Sequence, residues 1–137
     1  MSKKLRNIIL VDDDDITNYL HKELFEDLNI AEKIIVFSDG ATAFNLIKEE
    51  LDNQEYNISK QPPDIIFLDL NMPAMDGFEF LEKLSATPGK ENLIIVVLTT
   101  SSNRKDIERA RKFNVAEYIN KPISEKKIED LLKKVLG

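Results

Sequence analysis

Four short apolar segments along this chain each end on a polar residue that could take part in chemistry. Segments with helical spacing separate these runs, so the sequence predicts parallel strands of one sheet. The carboxyl ends of such strands share one edge, where ligands bind. Three carboxylates, one hydroxyl and one ammonium would therefore meet there, a combination that suits a divalent cation and a phosphoryl group. Residues 8–11 lead into Asp12 and Asp13, residues 65–68 into Asp69, residues 93–98 into Thr99, and residues 117–120 into Lys121.

Length and composition limit the kind of protein this can be. The 137 residues suffice for one domain with a hydrophobic core and are too few for two ordinary domains. A net charge of −6 argues against binding nucleic acid through a broad basic surface. The chain has no cysteine, which excludes disulfides and thiolate metal sites. Its apolar runs are too short for a signal peptide or a membrane span, so we expect a cytoplasmic protein that does not contact membranes.

Strand-like and helix-like segments alternate along the whole chain. The third predicted strand, residues 65–68, is apolar without interruption, as expected for a strand buried on both faces of a parallel sheet. The pattern predicts an α/β fold of five βα units with right-handed crossovers. Residues 52–63 are polar and include two consecutive prolines, which predicts a helix end followed by a loop. The other strands are predicted at residues 8–11, 33–37, 93–98 and 117–120.

The first predicted helix shows an apolar stripe. Ile16, Leu20, Leu24 and Leu28 recur at helical spacing, which predicts that these side chains face the core. His21, the only histidine of the chain, lies within this helix and is predicted to be a surface residue and not a phosphorelay histidine. The second helix is predicted to bury Ala43, Phe44, Ile47 and Leu51, and the last helix Ile128, Leu131, Leu132 and Val135.

Residues 12–15 form a run of four aspartates with two competing interpretations. A charge run is usually a solvated surface, and Asp14 or Asp15 could cap the helix that follows. Asp12 and Asp13 lie at the strand end itself, where crowded carboxylates would raise one another's pKa unless a cation lay among them. Mg²⁺ prefers oxygen ligands and uses few carboxylates. The run alone does not decide between capping and metal binding.

Asp69, Thr99 and Lys121 also have structural alternatives. Asp69 could start a turn by bonding to the turn at Met72-Pro73, or it could be a nucleophile that forms an aspartyl phosphate. Thr99 could belong to an ordinary hydroxyl-rich loop, or bind a phosphoryl oxygen. Lys121 could face solvent, or act as a compact countercharge to phosphate. The joint placement of these residues with the acidic pair favours the chemical interpretation.

Taken in order, these motifs resemble the receiver domain of two-component response regulators over essentially the whole chain. The resemblance implies a flavodoxin-like sheet of strand order 2-1-3-4-5 with five helices, residues 1–137 forming a single receiver domain, and no output domain. The motifs are Val11-Asp12-Asp13, Asp69 with Asn71-Met72-Pro73, Asp76-Gly77, Leu98-Thr99, and Lys121-Pro122.

The resemblance also assigns roles to individual residues. Asp69 would be the phosphoacceptor, and Asp13, Asp69 and the backbone carbonyl of Asn71 would bind Mg²⁺ directly, with Asp12 acting largely through water. The remaining expected roles are a switch hydroxyl on Thr99, a switch aromatic ring on Tyr118, a phosphate-pairing ammonium on Lys121 and a cis peptide bond between Lys121 and Pro122. Two features depart from the family pattern: the longer segment at residues 52–63, and Thr100, where a smaller residue is common.

The implied partners are a sensor histidine kinase or histidine phosphotransfer protein and an unidentified downstream protein, with neither nucleic acid nor membrane. The implied readout surface is formed by the fourth helix, fifth strand and fifth helix, which could also form a dimer. Two alternatives remain open. A haloacid dehalogenase-type phosphatase would need a second acid two residues after the nucleophile, where this chain has Asn71. An adaptor that keeps the fold without being phosphorylated would not need the acidic pair.

Overall fold

The computed structural model describes residues 5–52, 64–72, 74–87, 93–100 and 104–136. Five parallel strands form one sheet of order β2-β1-β3-β4-β5, and five helices connect or follow them. The elements are β1 (Leu5–Val11), α1 (Asp15–Leu28), β2 (Ala31–Phe37), α2 (Gly40–Asp52), β3 (Asp64–Asp69), α3 (Gly77–Ser85), β4 (Leu93–Thr99), α4 (Arg104–Arg111), β5 (Glu117–Asn120) and α5 (Glu125–Leu136).

This arrangement is the flavodoxin-like fold that the family resemblance implied, and the predicted strand order is confirmed. All six residues of β3 are buried, as predicted for the central strand of a parallel sheet. Alternate residues of β3 point to opposite faces: Ile66 and Leu68 pack with α2 and α3, whereas Ile65 and Phe67 pack with α1 and α5. The sheet therefore has a hydrophobic core on each face.

The first three strands begin earlier than predicted, whereas β4 and β5 begin where the pattern placed them. β1 begins at Leu5, and β3 begins at Asp64. The Arg6 guanidinium donates to both carboxylate oxygens of Asp64, at 2.9 and 2.6 Å, and the Asn7 amide donates to Asp64 Oδ1 at 3.2 Å. Arg6, Asn7 and Asp64 are polar and interrupt or precede the apolar runs of the two strands, which explains why the pattern placed the boundaries later.

The buried face of α1 differs from the prediction. Ile16 and Leu20 are 71% and 56% exposed, whereas Asn18 and His21 are buried together with Phe25. The prediction that Ile16 and Leu20 face the core, and that His21 lies on the surface, was therefore wrong. The physical reason is the hydrogen bond from the Asn18 side-chain amide to the Asp12 carbonyl, which holds this face of α1 toward the end of β1.

The buried stripes predicted for α2 and α5 are confirmed. Ala43, Phe44 and Ile47 of α2 are buried, with Leu51 partly buried against them. Ile128, Leu131 and Leu132 of α5 are buried, with Val135 partly buried. The predicted loop at residues 53–63 lies outside the described residues. Among the described residues, no helix combines the length and the apolar character needed to cross a membrane.

Candidate functional site

Three carboxylates meet where β1 and β3 end. Asp12, Asp13 and Asp69 each offer one oxygen, and these oxygens all lie within 4.8 Å of one another. The pairing of Val11 with Leu68 explains the arrangement, because the residues that follow these two emerge side by side at the same edge. Asp12 and Asp69 are buried and Asp13 is exposed, so the cluster opens to solvent on one side.

The loop between β1 and α1 divides the acidic run in two. Asp14 is the N-cap of α1: its carboxylate accepts from the Ile16 amide at 3.2 Å and from the Thr17 hydroxyl at 2.6 Å. The hydrogen bond from Thr17 lowers the pKa of Asp14. Asp12 instead accepts from the Asp14 amide at 2.9 Å, which turns its carboxylate toward the cluster. Asp14 therefore stabilises the helix, while Asp12 and Asp13 contribute to the site.

Asn18 is a buried site residue that sequence reasoning missed. Its Nδ2 donates to the backbone carbonyl of Asp12 at 2.8 Å, across the first turns of α1. This bond ties the helix to the strand end and explains why a polar residue occupies the buried face. The sequence gives no signal of such a contact, because the acceptor is a backbone atom of the preceding loop.

Lys121 reaches the acidic cluster from β5. Its Nζ lies 2.5 Å from Asp12 Oδ2 and 3.6 Å from Asp69 Oδ2, and its side chain is 14% exposed. The Lys121 amide donates to the Thr99 carbonyl at 3.0 Å, and the Lys121–Pro122 peptide bond is cis. The ammonium thus lies between two carboxylates from different strands, in the position of a countercharge.

Burial raises the pKa of Asp69, and the neighbouring carboxylates of Asp12 and Asp13 raise it further, whereas the Lys121 ammonium opposes these effects. One ammonium therefore does not balance three crowded acids. A divalent cation with oxygen ligands would supply the missing charge. The donor set of Asp12, Asp13 and Asp69, open to solvent at Asp13, fits Mg²⁺, which retains several waters.

Asp69 makes a local contact with Asn71, whereas the structural alternative predicted a bond to the turn at Met72-Pro73, of which Pro73 lies outside the described residues. Its Oδ1 accepts from the Asn71 amide at 3.3 Å. Its other oxygen lies on the side of Lys121. The two roles are thus compatible, because each uses a different carboxylate oxygen.

Thr99 and Tyr118 lie on the β4 and β5 side of the site. Thr99 is fully buried at the end of β4, and the Asn71 side-chain amide donates to its hydroxyl at 3.4 Å. Tyr118 is partly buried and packs against the core on the side of α2, α3 and α4. Thr100, the residue that departs from the family pattern, is exposed next to Lys121 in a cavity that also includes Thr17 and His21.

Gly77 has a structural role that its place in a motif did not explain. A Cβ at this position would lie 2.6 Å from Leu70 Cα and 2.7 Å from the Asp69 carbonyl oxygen. The Gly77 amide donates to the Leu70 carbonyl at 3.0 Å. Glycine is therefore required because the start of α3 passes against the backbone that follows Asp69.

Comparisons with known proteins agree with this geometry. The family model of the response regulator receiver domain matches residues 8–133. The response regulator Rcp1 of Synechocystis sp. is 32% identical over 130 residues, which cover 95% of this chain and 84% of Rcp1.

Solved structures share this fold. The two-component response regulator of Cytophaga hutchinsonii superposes with a TM-score of 0.81 at 29% identity and covers 98% of both chains. The receiver domain of the histidine kinase CKI1 from Arabidopsis thaliana, complexed with Mg²⁺ and BeF₃⁻, has a TM-score of 0.77 at 20% identity, covering 94% of this chain and 91% of that one. The strand order, the acidic cluster and the family match together show that this chain belongs to the response regulator receiver domain family.

Proposed function

We propose that this chain is a phosphoryl-accepting signalling switch in which Asp69 receives a phosphoryl group from a phosphohistidine. The observation that carries this proposal is the cluster of three carboxylates within 4.8 Å, with the Lys121 ammonium beside two of them. The donor would be a sensor histidine kinase or a histidine phosphotransfer protein.

In this mechanism a carboxylate oxygen of Asp69 attacks phosphorus in line with the imidazole nitrogen. The new O–P bond forms as the N–P bond breaks, and the departing imidazole takes a proton from solvent. Lys121 pairs with the oxygens of the transferred group, so that positioning and electrostatics provide the catalysis. Mg²⁺ bound by Asp13, Asp69 and the Asn71 carbonyl, with Asp12 acting largely through water, would offset the charge of the phosphoryl group.

The phosphorylated state would be communicated by Thr99 and Tyr118. The Thr99 hydroxyl would donate to a phosphoryl oxygen and give up its contact with Asn71, and Tyr118 would rotate toward the space it leaves. The surface formed by α4, β5 and α5 would then change and recruit a target protein or a second copy of the chain. Moving such an equilibrium from 1:99 to 99:1 requires about 10⁴-fold preference for one state.

The test is incubation with Mg²⁺ and acetyl phosphate, followed by intact mass measurement. We expect one phosphoryl adduct on the wild-type chain, none on Asp69→Asn, and one on Asp15→Asn, a matched removal of an exposed acid from the same site region. An adduct that persists in Asp69→Asn would contradict the proposal. A wild-type chain that never forms an adduct would instead support the adaptor.

Measuring turnover of small phosphate esters distinguishes the phosphatase alternative from the proposed switch. A haloacid dehalogenase-type enzyme would hydrolyse small phosphate esters steadily, whereas we expect at most one phosphoryl group transferred per chain before slow hydrolysis. The side chain two residues after Asp69 is the Asn71 amide, which donates to Thr99 and cannot act as a general acid. Sustained release of phosphate from an ester would overturn the switch assignment.

A further inference from the structure

Lys127, on the first turn of α5, holds the loop that carries Lys121. Its Nζ donates to the backbone carbonyl of Asn120 at 3.0 Å and to that of Pro122 at 3.0 Å. These two carbonyls belong to the residues immediately before and after Lys121. A single ammonium therefore spans the loop from which Lys121 reaches the acidic cluster.

Lys127 lies near the N-terminus of α5, where a lysine is unfavourable unless its ammonium has specific acceptors. The Lys127 amide donates to Ser124 Oγ at 3.2 Å, so Lys127 lies in the first turn. A cation in this turn is unfavourable for the helix dipole, and a lysine side chain loses conformational freedom when it is fixed. Two carbonyl acceptors directed at one ammonium offset both costs. The residue is exposed and contributes little to the core, so its contacts act mainly on the loop.

The backbone of Lys121 is consequently held from two sides. Its amide donates to the Thr99 carbonyl at 3.0 Å, on the side of β4. Lys127 holds the flanking carbonyls on the side of α5. The Lys121 ammonium must reach both Asp12 and Asp69 from this backbone, so a small movement of the loop changes both distances.

From these contacts we infer that Lys127 is a positioning residue for Lys121 in phosphoryl transfer, an inference that rests on the proposed function. Lys127 touches neither the acidic cluster nor the transferred group. It acts by fixing the backbone from which the phosphate-pairing ammonium extends.

The test compares Lys127→Met with Lys127→Arg and with Lys126→Met. Lys126 is the neighbouring lysine of the same turn; its side chain is 85% exposed, and its ammonium lies 4.0 Å from Asp130, so its variant controls for the loss of charge. With Mg²⁺ and acetyl phosphate, we expect Lys127→Met to be phosphorylated about fivefold more slowly, the size of effect expected when hydrogen bonds to the loop are lost. Lys127→Arg should recover most of the rate, and Lys126→Met should match the wild type.

A double variant separates positioning from a general structural effect. If Lys127 acts through Lys121, Lys127→Met should slow phosphorylation little further once Lys121→Met is present. An equal slowing in both backgrounds would overturn the inference, as would a rate for Lys126→Met as low as that for Lys127→Met.

A second readout does not depend on phosphorylation. In the absence of Mg²⁺ and phosphate donor, we expect hydrogen exchange at the Lys121 amide, followed by NMR, to be about fivefold faster in Lys127→Met and unchanged in Lys126→Met. If the wild-type chain is not phosphorylated, the proposed function fails, and the exchange rates still decide whether Lys127 holds the loop. Unchanged exchange in Lys127→Met would overturn the inference.

Discussion

The helices α3 and α4 pack on the same face of the sheet but are attached to it very differently. Five of the nine residues of α3 are buried, whereas Ala110 is the one buried residue of α4, a helix that the structure describes in full. The Arg109 guanidinium of α4 lies over the Phe78 ring of α3 at 4.0 Å from its centroid. The helix that follows Asp69 is thus fixed by the core, and the helix that follows Thr99 is held by few buried contacts. A helix of the second kind can change position at low cost, as the proposed switch requires.

The largest difference between α3 and α4 should be in the free energy of unfolding that is lost when a side chain packed on the core is truncated. Phe80 of α3 is fully buried against Phe44, and Phe80→Ala should lower the free energy of unfolding by about 3–5 kcal/mol. Ile107 of α4 is partly buried, and Ile107→Ala should cost about 1 kcal/mol because less surface is lost from the core. Urea denaturation with unchanged m-values checks both. Equal losses would show that α4 is packed as firmly as α3.

The next effect concerns the close backbone approach at the start of α3. Gly77→Ala should cost about 1–3 kcal/mol, since its Cβ would meet the backbone of Asp69 and Leu70 and force it to move. Gly40→Ala is the matched control at the start of α2, where the nearest atom to a Cβ is the Met75 carbonyl oxygen at 3.0 Å. Thermal unfolding of both variants should show the larger loss at Gly77. An unchanged melting temperature for Gly77→Ala would show that the backbone after Asp69 can shift at little cost.

Removing the charge of Asp69, at the end of β3, should raise the free energy of unfolding, whereas the substitutions described above should lower it. Burial raises the pKa of Asp69, so its ionised form destabilises the folded chain. Asp69→Asn should therefore raise the free energy of unfolding by about 1 kcal/mol at neutral pH without Mg²⁺, allowing for screening by water. The gain should be complete above the folded-state pKa and disappear as the pH falls below the ordinary pKa of aspartate.

Urea titrations between pH 7 and pH 3 measure this dependence, with the exposed Asp15→Asn as control. A gain for Asp69→Asn that stays constant over this range would show that the charge of Asp69 is not its origin.

The smallest expected effect is at the contact between the two helices. Arg109→Met should lower the free energy of unfolding by about 0.5–1 kcal/mol, the usual size of a cation–π contact near the surface. Arg104→Met, which removes the same charge from an exposed position of α4, should leave it nearly unchanged. Chemical denaturation of the two variants decides whether the contact of Arg109 with Phe78 stabilises α4. Equal losses in the two variants would show that it does not.

The pattern of residues was sufficient to predict the alternation of strands and helices and the burial of β3. An unbroken apolar run such as residues 65–68, bounded by polar residues, is typical of a strand that is buried on both faces of a parallel sheet. The strand order was available only through resemblance, because strand pairing depends on contacts between distant segments. The starts of β1 and β3 were predicted too late, since the ion pair of Arg6 with Asp64 joins residues 58 positions apart.

The sequence by itself determined which residue types stand at the strand ends, and hence that Asp12, Asp69 and Lys121 would share one edge. Only the tertiary structure decided which face of α1 is buried. Ile16 and Leu20 satisfied the helical period but are exposed, whereas Asn18 is buried because it donates to the Asp12 carbonyl. Periodicity records the spacing of side chains along a helix; the rotation of that helix is set by hydrogen bonds to a backbone that no local pattern encodes.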